Sequence, residues 1–148
     1  MVKKLALIIL GCVTFNTAHA HYALSDRELE CMVRVSLAEG ENQTKITKIG
    51  IMYTVHNRVK NKMFKTDSHC TAINKKKQFS HRKVKVPKHQ HELFNMAKAV
   101  FLETIEDPTK GAVFFHDGSL KRNPFRHTAR TVRLDDMFFY RTTLKSSA

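Results

Sequence analysis

The chain has 148 residues, 42% of them hydrophobic and 26% charged, which suits one folded domain with a single core and is too short for two. Its 26 Lys and Arg against 13 Asp and Glu give a formal charge of +13, so attraction to polyanions is expected. The basic residues are not interleaved with aromatics as a single-strand nucleic-acid groove requires, and no nucleic-acid motif is present, so nucleic acid is not expected as the partner.

In chain order, the first signal is a leader. Lys3 and Lys4 precede an apolar run from Leu5 to Val13, and Ala18-His19-Ala20 gives the small-x-small pattern that signal peptidase reads. Residues 1–20 are read as a signal peptide and residues 21–148 as the mature domain, secreted or periplasmic. The apolar run falls short of the roughly 20 residues that span a bilayer, so no stable membrane anchor is expected. A weak lipobox at Ile9-Leu10-Gly11-Cys12, or a retained leader, is the alternative. Loss of Lys3 and Lys4 leaves about +11, a charge suited to anionic cell-wall polymers. Cys31 and Cys70 then remain in an oxidising compartment; a disulfide is expected, against the alternative of two buried thiols. The domain is expected to be a monomer.

Ser25-Asp26-Arg27-Glu28 reads as a capping box opening a first helix, with Leu29, Met32, Val33 and Leu37 on one face. Gly40 offers a left-handed position to end it, which puts Glu39 in the last turn. A second helix from about Thr44 to Lys60 is apolar over much of its surface, as a central core helix must be. From Asn61 to Lys88 the periodicity fails, predicting a long basic loop with a short turn near Ala72-Ile73. After Pro87, Leu93, Met96, Ala97, Val100, Phe101 and Thr104 form a third helical stripe ending before Asp107-Pro108. Strands are expected at Ala112 to Phe115, Thr131 to Leu134 and Met137 to Arg141, the last two joined by a tight Asp135-Asp136 turn. About three helices followed by a small antiparallel sheet make an α+β domain.

The chemistry-bearing candidate is Glu39. A carboxylate at a helix C-terminus faces the negative end of the macrodipole, which disfavours its charged form and suits a proton donor. Taken alone, it could equally be a surface glutamate finishing a helix.

The wider pattern supplies the context. The segment Cys31-Met32-Val33-Arg34-Val35-Ser36-Leu37-Ala38-Glu39-Gly40-Glu41 resembles the opening motif of the SleB-type cell-wall hydrolases, the spore-cortex lytic enzyme family, with the insert between glutamate and glycine absent or shifted. Tyr53-Thr54-Val55-His56-Asn57-Arg58-Val59 is similar to that family's valine-x-asparagine-arginine-valine helix. Cys70, Gln78-Phe79-Ser80, the stretch from Asp107-Pro108 to Phe115-His116, and Phe139-Tyr140 follow in the family's order. The resemblance implies a small lysozyme-like or transglycosylase-like domain that cuts peptidoglycan between N-acetylmuramic acid and N-acetylglucosamine, without a cofactor or metal. It implies Glu39 as catalytic acid and base and Gln78, Ser80, His116 and Tyr140 as substrate contacts. Asn57 and Arg58 are read as a polar network supporting the cleft. Family members usually carry a tryptophan after the histidine-bearing strand; this chain has none, and Asn123-Pro124-Phe125 stands there, so stacking on sugar is either lost or taken over by Phe125. A histidine of the family is replaced by Met137.

No second carboxylate stands out, since Glu41 lies beyond Gly40 and Asp117, Asp135 and Asp136 read as turn formers. A single acid points to a lytic transglycosylase, in which a substrate hydroxyl attacks, over a muramidase-type hydrolase, which uses a pair of carboxylates. Two other classes are carried. Nine histidines and the His89-Gln90-His91 pair motivate a zinc amidase, although no His-Glu-x-x-His helix appears. The charge motivates a non-enzymatic wall-binding protein, although the best helical stripe has a mixed rather than basic opposite face. Bacterial wall enzyme and phage endolysin are alike at this level.

Overall fold

Ser25 starts the first helix, α1 (Asp26–Gly40), with its hydroxyl accepting the amide of Glu28 at 3.3 Å. The capping box is completed only from that side. The Glu28 carboxylate turns instead to a later helix, accepting the backbone amide of His69 at 2.6 Å and meeting its Nδ1 at 3.0 Å. The computed structural model describes residues 24–75, 79 and 84–143, so the leader and the expected ligands Gln78 and Ser80 lie outside the described residues.

Gly40 does not act as the left-handed stop that the sequence led us to expect. Helix α1 runs through it, and Glu41 at the C-cap keeps right-handed angles of φ −51° and ψ −48°. Glycine is needed there for packing: a Cβ on Gly40 would lie 2.6 Å from Cδ1 of Ile51. The last turn of α1, which carries Glu39, thus sits directly on the second helix.

That helix, α2 (Lys45–Lys60), is the central element, as its apolar surface required. One side packs Ile51, Val55 and Val59 with Ala112, Met137 and Phe139. The other packs Met52 and Tyr53 with Leu29, Met32, Val33, Leu93, Ala97 and Val100. Each fully buried side chain of this kind contributes about 1.5–3 kcal/mol. The N-terminus of α2 is capped from the far end of the chain. Oδ2 of Asp135 accepts from the Thr44 amide at 2.9 Å, the Thr44 hydroxyl at 2.7 Å and the Thr47 hydroxyl at 2.8 Å. An anion suits a helix N-terminus, where free amides gather.

The segment read as a loop with a turn contains a six-residue helix, α3 (His69–Asn74), after a single 3-10 turn at Met63–Lys65. Two turns are too few to show a period, and tertiary ties hold the element. Ser68 caps it by accepting the Thr71 amide at 3.1 Å, and Ile73 is fully buried. Cys70 is bonded to Cys31 of α1, with Cα atoms 5.3 Å apart and 39 residues between them in sequence. On chain-entropy grounds a loop of that size gives about 4 kcal/mol of stabilisation. The following helix, α4 (His91–Phe101), stops short of Thr104, because the chain leaves at Leu102 and Glu103 takes φ +51°.

Three antiparallel strands, β1 (Phe114–Asp117), β2 (Thr128–Leu134) and β3 (Met137–Thr142), lie in the order β1-β3-β2. The fold is α+β, helices first and sheet last. The first strand begins two residues later than the apolar run; Ala112 and Val113 are buried ahead of it, with the Val113 amide on the Tyr140 carbonyl at 2.8 Å. β2 reaches three residues further back than expected. A bulge between Arg130 and Val132 shifts the register, after which Thr128 still pairs with Thr142. Asp135, at φ +48°, makes the expected turn into β3.

Candidate active site

Glu39, half-buried in the last turn of α1, lines a cleft of about 350 Å³. The opposite wall comes from β1 and the turn after it, with Phe115, His116, Asp117 and Leu120, while Phe79 and Met137 also line it. The close α1–α2 contact at Gly40 sets the first wall, and the β1–β3 pairing sets the second.

His116 is buried, and both its ring nitrogens have partners within the protein. Nδ1 is 2.5 Å from the Asp117 carbonyl oxygen, which can only accept, so Nδ1 is the donor. In the neutral ring Nε2 then accepts from the Tyr140 hydroxyl at 2.9 Å. Tyr140 is thereby held with an oxygen lone pair to spare. Phe125 joins the same cluster: its ring stacks on Phe114 at 4.8 Å and meets Tyr140 edge-on at 5.7 Å. Asn123 fixes this loop, accepting the Phe125 amide at 2.9 Å and donating to the Thr128 hydroxyl at 3.0 Å.

Beyond His116 and Leu120 lies a second cleft of about 500 Å³, which those two residues share with the first. Its other lining includes Tyr140, Phe138, Asn123, Lys121, Arg122 and Arg130.

Asn57 and Arg58 sit on α2 beneath the approach to β1. Asn57 donates to Asp107 Oδ2 at 2.9 Å and to the Ala112 carbonyl at 3.0 Å. Asp107 in turn accepts the Thr109 and Gly111 amides at 2.8 and 2.9 Å, folding the Asp-Pro-Thr-Lys-Gly turn in which Gly111 has φ +81°. Arg58 Nε donates to the Val113 carbonyl at 2.6 Å, and its guanidinium lies 4.7 Å from the Phe79 ring centre and 5.3 Å from that of Phe114. Burial lowers its pKa to about 10, which leaves it charged at neutral pH. One cation therefore fastens a residue of the Glu39 cleft, Phe79, to the strand opposite.

Two features escaped the sequence. Asp117 does form its turn, accepting the Ser119 amide at 3.1 Å, but it also lines the Glu39 cleft. Hydrogen bonds from the Ser119 hydroxyl and amide hold its carboxyl below the usual range. No sequence signal distinguishes that aspartate from an ordinary turn former. Away from the cleft, His56 and His69 stack and meet at 3.0 Å between Glu28 and Glu103, joining α1, α2, α3 and the exit of α4. His89 and His91 lie with ring centres 6.5 Å apart. Among the described residues, no three His, Cys, Asp or Glu side chains group as a cation site, and no helix is long and apolar enough to cross a membrane.

The shape of a small α+β domain, even with a carboxylate set between a helix end and a sheet edge, assigns no chemistry by itself. The family model described as Cell Wall Hydrolase matches residues 42–140, well over half of the chain, and the protein belongs to that family. It is accordingly a peptidoglycan-acting enzyme. The matched span begins just after Glu39, so the reading of that residue rests on its place in the cleft and on the motif around it. No match was found among curated proteins or among solved structures.

Proposed function

We infer that the protein is an exported lytic transglycosylase that cuts the glycan strand between N-acetylmuramic acid and N-acetylglucosamine, with Glu39 as general acid and then general base. The observation that carries this is half-buried Glu39 lining a cleft that the edge strand β1 also lines. Glu39 gives its proton to the glycosidic oxygen as that bond breaks, leaving an oxocarbenium-like centre on the muramyl sugar. The sugar's own C6 hydroxyl attacks the centre, and the Glu39 carboxylate takes back the hydroxyl proton. The product is a 1,6-anhydro end, and no water is consumed. Tyr140, oriented by His116, supplies a polar contact to the sugar, Phe125 an apolar edge, and Gln78 and Ser80 further hydrogen bonds. Asn57 and Arg58 support the wall through Asp107, Val113 and Phe79.

A second reading has one observation in its favour: Asp117 lines the same cleft and is held ionised. A muramidase-type hydrolase would use such a partner to activate water or to stabilise the cation. Mass spectrometry of the released fragments separates the two. Transglycosylation gives products one water lighter than hydrolysis, and Asp117→Asn leaves it largely intact. Products carrying reducing ends, lost on Asp117→Asn, would replace the first reading with the second. Full activity in a strong chelator is expected and would dispose of a zinc amidase. Release of fragments at all sets the protein apart from a simple wall binder.

A further inference from the structure

Of the cationic side chains near the last two strands, Lys121, Arg122, Arg130 and Arg133 divide into two kinds. Arg133 is occupied, donating to the Asp135 carbonyl at 2.9 Å and pairing with Asp136 at 3.4 Å. Lys121, Arg122 and Arg130 are in no ion pair among the described residues, and all three line the second cleft. Arg130 is held with its guanidinium 5.5 Å from the Phe138 ring centre, which fixes a planar donor group at the cleft wall. The loop carrying Lys121 and Arg122 is pinned by Asn123. This cleft of about 500 Å³ adjoins the Glu39 cleft, with which it shares His116 and Leu120 as lining.

We propose that this basic cleft binds the carboxylates of the peptide stem borne by the muramyl sugar, so that Lys121, Arg122 and Arg130 select stem-bearing over stem-free glycan. The inference rests on the glycan-cutting reading above and deepens it. N-acetylglucosamine is uncharged, and the muramyl lactyl acid is consumed in the amide that carries the stem. Along such a strand the negative charge therefore resides in the stems. A sugar positioned at Glu39 projects its stem sideways, and the cleft that adjoins across His116 offers three free cations to meet it. Paired N–H donors of arginine match carboxylates in geometry as well as charge.

Two measurements test this. The first compares kcat/KM on intact strands with kcat/KM on strands stripped of stems by an amidase, whose hydrolysis leaves one lactyl carboxylate on each muramyl sugar, held close to the ring and short of the second cleft. The wild-type ratio is expected near tenfold, and Arg122→Ala/Arg130→Ala should bring it close to one. Both residues are exposed, so the thermal transition should not move. A wild-type ratio near one, or an equal loss on both substrates in the double variant, would overturn the proposal. The second uses Glu39→Gln protein and a free acidic stem peptide, with inorganic phosphate as the comparison anion, read by chemical-shift titration. The peptide should bind at the cleft at least tenfold more weakly in the Arg122→Ala/Arg130→Ala background. Phosphate binding as tightly as the peptide would assign the cleft to phosphate-bearing wall polymers instead and overturn the proposal. If wild-type enzyme cleaves neither strand, the glycan-cutting reading fails, and the titration still decides the stem site by itself.

Discussion

The Tyr140 hydroxyl lies 2.9 Å from Nε2 of His116, a bond from β3 to β1 that ties a residue of the second cleft to one shared with the Glu39 cleft. Tyr140→Phe removes the donor and leaves a buried ring nitrogen unpaired. A buried polar atom so stranded costs about 1–3 kcal/mol. Urea unfolding should show a loss in that range, and turnover should fall several-fold because the sugar loses a contact. Unchanged stability would mean that the bond adds nothing to the wall.

Gly40 and Ile51 set where Glu39 stands. Gly40→Ala would bring a methyl to 2.6 Å from Ile51 Cδ1, and overpacking of this kind costs about 1–3 kcal/mol. Ile51→Val deletes the clashing carbon. The double variant should therefore be more stable than the two single effects added together, a positive coupling read by a double-mutant cycle. Strict additivity would place the strain elsewhere.

These two residues also show what the sequence could and could not convey. Helices α1, α2 and α4, their order and the central place of α2 follow from apolar spacing and were legible. The same spacing placed the turn into β3 correctly. Gly40 was misread because a glycine at a helix end has two possible causes, a left-handed cap or a close neighbour, and only tertiary structure tells them apart. Helix α3 was invisible because its few residues are held by a disulfide and by Glu28, not by a period of their own. Asp135 and Asp117 were read as turn formers, which they are. Their second roles, capping α2 and lining the Glu39 cleft, depend on segments far away in the chain. Glu39 stood out through its motif, and His116, which lines both clefts, and Tyr140, which lines the second, through the ordered matches further along.

Acid should destabilise the fold in two stages. Burial is the largest influence on His56 and lowers its pKa from 6.5, so its neutral form is preferred in the folded state. That contribution is fully present above about pH 6.5 and is lost as pH falls through the lower folded value. Glu28, bonded to His69, and Glu103, bonded to Lys60 and His56, are lowered from 4.5, so their contributions hold above about pH 4.5 and are lost below it. The melting temperature should be level above pH 7, decline first below 6.5 and again below 4.5. His56→Gln should remove the first decline while sparing the second. A melting temperature rising as pH falls from 7 to 5 would reverse the assigned sign.

A positive charge spread over a domain this small should attract it to anionic wall. Exposed charges are screened beyond about 8 Å at physiological salt and roughly 3 Å at 1 M. Raising salt should slow lysis of whole walls far more than cleavage of short, soluble, stem-free glycan. Equal sensitivity on the two substrates would remove surface charge as the means of targeting.

The central claim is that Glu39 donates the proton that breaks the glycosidic bond. Glu39→Gln keeps the side chain's size and cannot donate that proton. Fragment release from purified peptidoglycan by this variant, measured by mass spectrometry against wild type at equal protein and with matching circular dichroism and melting temperature, tests it most directly. The account predicts that release falls by at least a thousandfold, about 4 kcal/mol of transition-state stabilisation, with the fold unchanged. Release within about tenfold of wild type by a folded Glu39→Gln protein would contradict it.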